Sequence, residues 1–252
     1  MTTISPINKR SGVSYFSQGF SLITVQGLRR FVFVPLFINL CLFAGAFYYL
    51  FGEIAIAIHY IVNLIPEWLG WLKDGLVYAL WPIALISVLL IFALIFGTLA
   101  NWIAAPFNGL LAEKVEQHLT GQTIDSSGMA DLVKDLPRTF GRELTKLLYY
   151  IPRAIGFIIL FFILPVIGQV LWFLFNGWMM AVQYTDYPFD NHKIPFTTMK
   201  QQLNERKSLS FSFGLTVSVF SLIPIVNFIV MPVAICGATA MWVEQFKPQH
   251  TA

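Results

Sequence analysis

The chain has 252 residues, of which 57% are hydrophobic and only 12% are charged, and its formal net charge is +3. An ordinary soluble domain carries about 25% charged residues, so this composition predicts an integral membrane protein. The small and dispersed positive charge does not indicate a nucleic-acid partner. Cys41 and Cys236 both lie in apolar runs without a CxxC or histidine-rich neighbourhood, so we expect no disulfide, no metal site and no cofactor.

The first predicted element is a stretch without charges, residues 11–26, near the N-terminus. Val13, Phe16, Phe20 and Ile23 recur there at helical spacing and share one face. This pattern predicts an amphipathic helix that lies at the membrane interface.

Four long intervals without charged residues follow along the chain. They contain 22, 38, 32 and 36 residues and cover 31–52, 75–112, 154–185 and 208–243. A single crossing of the bilayer needs about 20 apolar residues. We therefore predict one transmembrane helix over 31–52 and a second, longer one over 76–103.

The last two intervals are long for one crossing and short for two full crossings. Each is interrupted, by ILPVIGQV around Pro165 and by LIPIVNFIVMP around Pro224 and Pro232. Proline removes a helix hydrogen bond, and in lipid the freed backbone groups must find other partners. We predict that 154–185 and 208–243 are re-entrant helical hairpins, which enter the membrane only partly.

The basic residues predict which side of the membrane each polar segment faces. Segments 1–30, 104–153 and 186–207 carry four, six and four lysines or arginines, whereas 53–75 carries one. Positive segments face the cytoplasm. We therefore expect a cytoplasmic N-terminus, and a hairpin that begins and ends on the cytoplasmic side. The whole chain, 1–252, is expected to form a single integral membrane domain.

The polar segments between the apolar intervals differ in their pattern. Segment 104–153 has helical periodicity and predicts amphipathic cytoplasmic helices, separated by a turn at TGQTIDSSG, residues 120–128. The fold class is therefore an all-α integral membrane protein. TDYPFDNHKIP, residues 185–195, is rich in proline, aspartate and asparagine and predicts a loop.

Signatures of enzymes are missing from the sequence, which contains no GxSxG, HExxH, P-loop or GxGxxG motif, so we expect no catalytic activity. Asp190 and His192 stand in the predicted loop without a nucleophile or metal partner, and we interpret them as surface residues. Glu113 and Glu116 share a helix face. They either form a solvated cytoplasmic surface, which we favour, or line a polar path.

Two arginines, Arg29 and Arg30, directly precede the first apolar run in VQGLRRFVFVPLF. They serve at least as a topology marker. A twin-arginine signal is disfavoured, because cleavage would leave three further apolar intervals. The third interpretation is an anion site: Gly27 allows close backbone approach, and a helix N-terminus supplies N–H groups and a positive dipole end. Flanking charges alone and an anion site both remain open from the residues.

The nature of the anion follows from the distribution of carboxylates. No aspartate or glutamate precedes Glu53, so a site at the two arginines offers donors without a local acceptor. Sulfate is fully deprotonated near neutral pH and needs only donors, whereas hydrogen phosphate retains a proton and gains from an acceptor. If the site exists, this distribution favours sulfate.

Five motifs carry a resemblance to a known family. They are SGVSYFSQGFSLI, GLRRFVFVPL, NWIAAPFNGLLAE, YPFDNHKIPF and MPVAICGATAMW. Through them nearly the whole chain resembles the CysZ family of bacterial inner-membrane sulfate transporters. The resemblance implies sulfate uptake for reduction and cysteine synthesis. It also implies two transmembrane helices, two helical hairpins that partly penetrate the membrane, and an oligomer of at least two copies.

The resemblance also assigns residues to a site. The GLR motif of the family, which is associated with sulfate binding, corresponds here to Gly27, Leu28 and Arg29, with Arg30 beside it. Arginine–glutamate pairs are implied along a conduction path, and Glu113 and Arg153 are candidates for such a pair. Sulfate, the lipid bilayer and further copies of the chain are the expected partners. The alternative function is a non-transport scaffold or a protein that binds lipid phosphate.

Overall fold

The structure, a computed structural model, describes residues 10–122 and 129–249, and all regular elements within these ranges are helical. This confirms the all-α prediction. The α-helices are α1 (Gly12–Ile23), α2 (Arg29–Asn63), α3 (Gly70–Thr120), α4 (Met129–Ile163), α5 (Ile167–Asn191), α6 (Phe196–Glu205), α7 (Lys207–Ser221) and α8 (Pro224–Met241). The shorter segments are two 3-10 helices, Glu67–Leu69 and Lys247–Gln249, and a π-helix, Trp242–Phe246. Most of the predicted turn at 120–128 lies outside the described residues.

The chain divides into two compact units. One comprises Met1–Val32 with Ala105–Ala252, and the other comprises Phe33–Ala104. The expectation of a single domain over the whole chain stays a prediction.

The unit Phe33–Ala104 is built on contacts between α2 and α3. Residues one turn apart on α2 pack against a matching stripe on α3; they are Ile54, Ile58 and Val62 against Val77, Leu80, Trp81, Ala84 and Val88. Large apolar side chains on the opposite faces stay exposed, for example Phe37 at 66% and Tyr48 at 84%. Such a surface is stable in lipid and unfavourable in water.

Three helices are long and apolar enough to cross a membrane, judged by length and composition over the described residues. They are Arg29–Asn63, Pro137–Ile163 and Val226–Phe246. The predicted crossing over 31–52 falls within the first, and the one over 76–103 falls within α3. The protein is a membrane protein on this basis. The number of crossings and the re-entrant depth of the hairpins stay predictions.

Both proline-containing breaks coincide with a turn between helices. Between α4 and α5, the Ile167 N–H donates to the Pro165 carbonyl at 2.8 Å around Val166, whose φ is 69°. This is a γ-turn. Pro224 is the first residue of α8, where its missing N–H leaves no hydrogen bond unmade. Pro232, in contrast, lies inside α8, so the prediction of a break there is wrong.

Helix α1 buries its apolar face against α7 and α8. Phe16 and Ile23 face the core as the pattern predicts, but Val13 is 51% exposed and Tyr15 is fully buried. The close approach of helix backbones explains the difference. A Cβ at Gly19 would lie 2.1 Å from the carbonyl oxygen of Val233, so α1 packs on α8 through its glycine face.

Helix α5 continues through Pro188 to Asn191, so the predicted loop over 185–195 is wrong in its first part. The helix then ends in a Schellman motif: Lys193 has a φ of 56°, and the Ile194 N–H donates to a carbonyl five residues earlier at 3.1 Å. The aspartates and the asparagine of this segment bind groups on neighbouring helices, and these contacts outweigh the local preference for a loop.

Gly214→Ala tests the close packing of α7 on α5. A Cβ at this position would lie 1.9 Å from the Gly177 carbonyl oxygen and 2.7 Å from the Ala181 nitrogen, both of them backbone atoms that cannot move aside alone. We expect the free energy of unfolding to fall by about 2–3 kcal/mol, measured by thermal unfolding of the purified protein in detergent. The control, Gly141→Ala, meets nothing within 4 Å and should be neutral or slightly stabilising. Equal effects of the two changes would contradict the packing.

Candidate functional site

The segment GLRR forms a tight turn that leads into α2. Gly27 has a φ of 98°, which glycine adopts without steric cost, and a Cβ there would meet nothing within 4 Å. The glycine therefore serves the turn and not close packing. Leu28 is 4% exposed and anchors the turn in the core, whereas Arg29 and Arg30 are exposed.

The hydrogen bonds of this turn change the expected anion site. The N–H groups of Leu28 and Arg29 donate to the Val25 carbonyl at 3.1 and 3.2 Å, and the Phe31 N–H donates to the Leu28 carbonyl at 2.9 Å. Several backbone donors at the helix start are therefore already used. The exposed guanidinium groups of Arg29 and Arg30 remain open to a ligand. Within the described ranges, no carboxylate lies within 4.0 Å of Arg29 or Arg30.

A second group of charges lies between α4 and α5, and we call it the α4–α5 network. Arg138, Arg142 and Lys146 recur every four residues on α4, and two aspartates four residues apart face them from α5. This spacing places each set on one helix face. The members of the network are Arg138, Arg142, Glu143, Lys146, Asp186 and Asp190.

Asp186 is the centre of the α4–α5 network. Its Oδ1 lies 2.7 Å from Arg142 Nη2, and its Oδ2 lies 3.2 Å from Lys146 Nζ. Lys146 also pairs with Glu143 Oε1 at 2.6 Å. Asp186 and Lys146 are 1% and 4% exposed, so these charges are compensated by one another and not by water.

Asp190 closes the other end of the network. It pairs with Arg138, and its Oδ1 lies 3.9 Å from Arg142 Nε. Burial raises the pKa of Asp190, and the two arginines offset this only partly. Arg142 also donates to the carbonyl of Ile194 at 2.6 Å, which ties the end of α5 to α4. The interpretation of Asp190 as a surface residue is therefore wrong.

Glu116, near the end of α3, forms a third charged group. It is 1% exposed, and its carboxylate oxygens lie 2.9 and 3.0 Å from His192 Nε2 and 2.9 Å from Lys247 Nζ. Burial opposes ionisation, but the hydrogen bonds from His192 and Lys247 outweigh it and hold the pKa of Glu116 below its usual range. Glu113 is 8% exposed and accepts from Gln117 at 3.0 Å. The favoured interpretation of these glutamates as a solvated face is wrong. His192 is exposed in a turn, as predicted, but its ring also binds the buried Glu116.

Glu116→Gln should destabilise the protein at neutral pH and flatten its acid dependence. The depressed pKa of Glu116 means that its stabilisation is present above the unfolded-state value of about 4.3 and is lost as the pH falls through the folded-state value. We expect a loss of about 1.5–3 kcal/mol at pH 7 from the weakened charged hydrogen bonds. The measurement is thermal unfolding between pH 7 and pH 3. The control is Glu205→Gln, at an exposed glutamate, and an equal response of the control would contradict the assignment.

The contacts of Arg153 are with Tyr149 and not with the charged groups described above. Its Nη1 donates to the Tyr149 carbonyl at 2.8 Å, and its guanidinium lies 3.8 Å from the centroid of the Tyr149 ring. Glu113 has Lys114 3.6 Å away. A shared role of Glu113 and Arg153 in a conduction path stays a prediction.

Sequence reasoning missed the α4–α5 network, although a signal was present. The cations of α4 were counted for topology, but their spacing of four residues also predicts a charged stripe. Two aspartates at the same spacing form its natural complement. The assignment of the aspartates to a loop hid this match.

Long apolar helices whose large apolar side chains stay exposed define a helical membrane protein. The sequence profile of the family described as "Sulfate transporter CysZ/Etoposide-induced protein 2.4" matches residues 15–232, and the chain belongs to this family.

Curated relatives cover almost the whole chain. The "Sulfate transporter CysZ" of Salmonella typhimurium strain LT2 is 53% identical over 254 aligned positions, which cover 99% of this chain and 98% of the relative. The proteins of the same name from Salmonella enteritidis and Salmonella typhi are 52% identical with the same coverage. The relatives are named as transporters and not as enzymes, which agrees with the prediction that this chain is not an enzyme.

Proposed function

We propose that this chain carries sulfate across the bacterial inner membrane and supplies sulfur for cysteine biosynthesis. The relatives named as sulfate transporters support the substrate. The observation that carries the site is the pair Arg29 and Arg30, exposed at a helix start with no carboxylate within 4.0 Å in the part of the chain that the structure describes.

The chemistry of the arginine pair favours sulfate over hydrogen phosphate. The arginines of the α4–α5 network are neutralised by aspartates, whereas Arg29 and Arg30 keep their donors for a ligand. A guanidinium remains charged at all relevant pH values and can donate two parallel hydrogen bonds to an oxyanion. Sulfate carries no proton, so it leaves no hydrogen-bond donor unsatisfied in a site that offers only donors.

Each residue of GLRR has its own role in the proposed site. Gly27 adopts the left-handed turn, and Leu28 fixes that turn to the core. Arg29 and Arg30 bind the anion through their side chains. Because backbone N–H groups of the turn are partly used, the affinity rests on the guanidinium groups and on the positive end of the α2 dipole.

The orientation of the chain assigns the site to one end of the path. Four basic residues within 1–30 favour a cytoplasmic N-terminus. Sulfate that enters from outside would then meet Arg29 and Arg30 after crossing the membrane. The site therefore acts at the exit, or regulates the path from the cytoplasm.

The path itself is proposed to need more than one copy of the chain. Hairpins that enter the membrane only partly, over 154–185 and 208–243, cannot alone enclose a pore across it. In a homo-oligomer of at least two copies, helices of the other copies complete the lining of the path. Glu113 and Arg153 stay the candidates for charged residues along the path.

Growth of a bacterial strain that lacks its own sulfate uptake tests this function in cells. With sulfate as the sulfur source, the chain should restore growth and the accumulation of labelled sulfate. With cysteine as the sulfur source, cells with and without the chain should grow equally, which controls for toxicity. Normal membrane expression without sulfate accumulation would contradict the proposal.

A further inference from the structure

A groove between α4, α5, α6 and α7, which we call the α4–α7 groove, does not contain Arg29 or Arg30, and it shares only Arg153 with the candidates for the conduction path. We propose that it binds an anionic phospholipid, with the phosphate at its basic end and an acyl chain along its apolar floor. Its volume is about 660 Å³, within the size range of ligand pockets. The lining residues are Tyr149, Arg153, Phe157, Leu171, Leu174, Phe175, Trp178, Thr197, Lys200, Gln201, Asn204, Lys207 and Phe211.

The charged residues of the groove are all basic, which favours an anionic ligand. Arg153, Lys200 and Lys207 are its charged residues, and none of the 13 lining residues is acidic. Arg153 lies 3.8 Å and Lys200 Nζ 4.3 Å from the centroid of the same Tyr149 ring. Over the described ranges, no carboxylate lies within 4.0 Å of these three cations. Positive charges that converge without a carboxylate favour the binding of a negative group from outside the chain.

The residues of the groove match the two parts of a phospholipid: basic residues at one end for the headgroup, and apolar residues along the floor for an acyl chain. On α4, Arg153 is followed one turn later by Phe157, and on α7, Lys207 is followed one turn later by Phe211. On both helices the sequence beyond the aromatic residue is free of charged residues. The cations therefore stand at the end of the groove nearest the polar segments. The floor is completed by α5, through Leu171, Leu174, Phe175 and Trp178.

An amphiphile satisfies this arrangement better than a free oxyanion. Phosphate or sulfate alone would satisfy the cations but leave the aromatic and leucine floor uncovered. An acyl chain covers it, and each methylene group that it buries there favours binding. Lysines and arginines at the boundary of an apolar segment face lipid headgroups, where they favour the binding of anionic lipid. The predicted membrane hairpin 154–185 supplies the apolar part of the groove, so the occupant is a lipid of the surrounding bilayer.

Lipid binding to the purified full chain tests the inference. Native mass spectrometry can compare phosphatidylglycerol with phosphatidylcholine of identical acyl chains. We expect the wild type to prefer phosphatidylglycerol. Lys200→Gln with Lys207→Gln should weaken phosphatidylglycerol binding roughly 30-fold, from about 1 kcal/mol per lysine, and leave phosphatidylcholine unchanged. The charge-matched control, Lys114→Gln with Lys193→Gln, removes two lysines outside the groove and should bind like the wild type.

Two further variants keep the test decisive. Thr197→Glu, at an exposed lining position, adds a carboxylate beside the cations and should weaken phosphatidylglycerol without disturbing the packing. Leu171→Asn should weaken both lipids. Thermal unfolding verifies that each variant is folded. Equal binding of the two lipids by the wild type, or equal losses in the groove and control variants, would overturn the inference. Binding of glycerol phosphate or sulfate as tight as that of the lipid would also overturn it, in favour of a site for free oxyanions.

Discussion

Asp186→Asn is expected to lower the free energy of unfolding by about 3–5 kcal/mol. Asp186 is 1% exposed, and its carboxylate is shared by Arg142 at 2.7 Å and Lys146 at 3.2 Å. An amide keeps the size of the side chain but not its charge. Two cations would then remain in a low-dielectric interior with Glu143 as the nearest compensation for one of them.

A matched change at the other end of the α4–α5 network separates the effect of losing a charge from the effect of burying its partners. Asp190→Asn removes the same charge from the same helix face, but its partner Arg138 is 36% exposed at the side chain and can turn to water. We expect a smaller loss, about 1 kcal/mol. Thermal unfolding of both variants in the same detergent compares them. A loss at Asp190 as large as that at Asp186 would contradict the central place of Asp186.

Arg29→Ala with Arg30→Ala is expected to weaken sulfate binding at least about 100-fold, because two charge-assisted hydrogen-bonding groups of about 1.5–3 kcal/mol each are removed. Both side chains are exposed, so the fold should be unaffected. Equilibrium binding of labelled sulfate to the purified protein gives the affinity, and thermal unfolding shows whether the variant is folded.

Two controls define what the arginine pair contributes. Arg29→Lys with Arg30→Lys keeps both charges but loses the planar fork, so part of the affinity should remain. Arg10→Ala removes an arginine that is already paired with Glu244 at 2.8 Å, and sulfate affinity should not change. An unchanged affinity in the double alanine variant would disprove the site.

The features predicted correctly from the sequence are those set by local composition. The charge-free intervals identified the apolar helices, since lipid excludes charges wherever the fold does not pair them. Pro165 and Pro224 marked the turns between helices because proline cannot occupy a helix interior without loss of a hydrogen bond. Gly27 was singled out for close approach of a ligand, which stays a prediction; its φ of 98° shows that the turn before α2 requires a glycine.

The features that were missed depend on partners distant in sequence. Glu116 looked solvated beside Lys114, but its partner His192 lies 76 residues away. Asp190 looked like a loop residue, but Arg138 binds it from another helix. Pairing with a distant residue buries a side chain that its neighbours suggest is solvated, and it keeps a segment helical that its composition suggests is a loop. A local sequence pattern contains no information about such a partner. At the start of α2 the reason is local: the N–H groups of Leu28 and Arg29, which the anion-site interpretation left for a ligand, donate to the Val25 carbonyl.

Sulfate flux into liposomes that contain only this protein tests the proposed transport most directly. Labelled sulfate should enter liposomes with the wild-type chain faster than empty liposomes, and the variant Arg29→Ala with Arg30→Ala should lose most of this flux. The measurement is repeated with and without an imposed pH gradient, which separates channel-like from proton-coupled transport. A flux no higher than that of empty liposomes, at every gradient and with folded protein in the membrane, would contradict the proposed function.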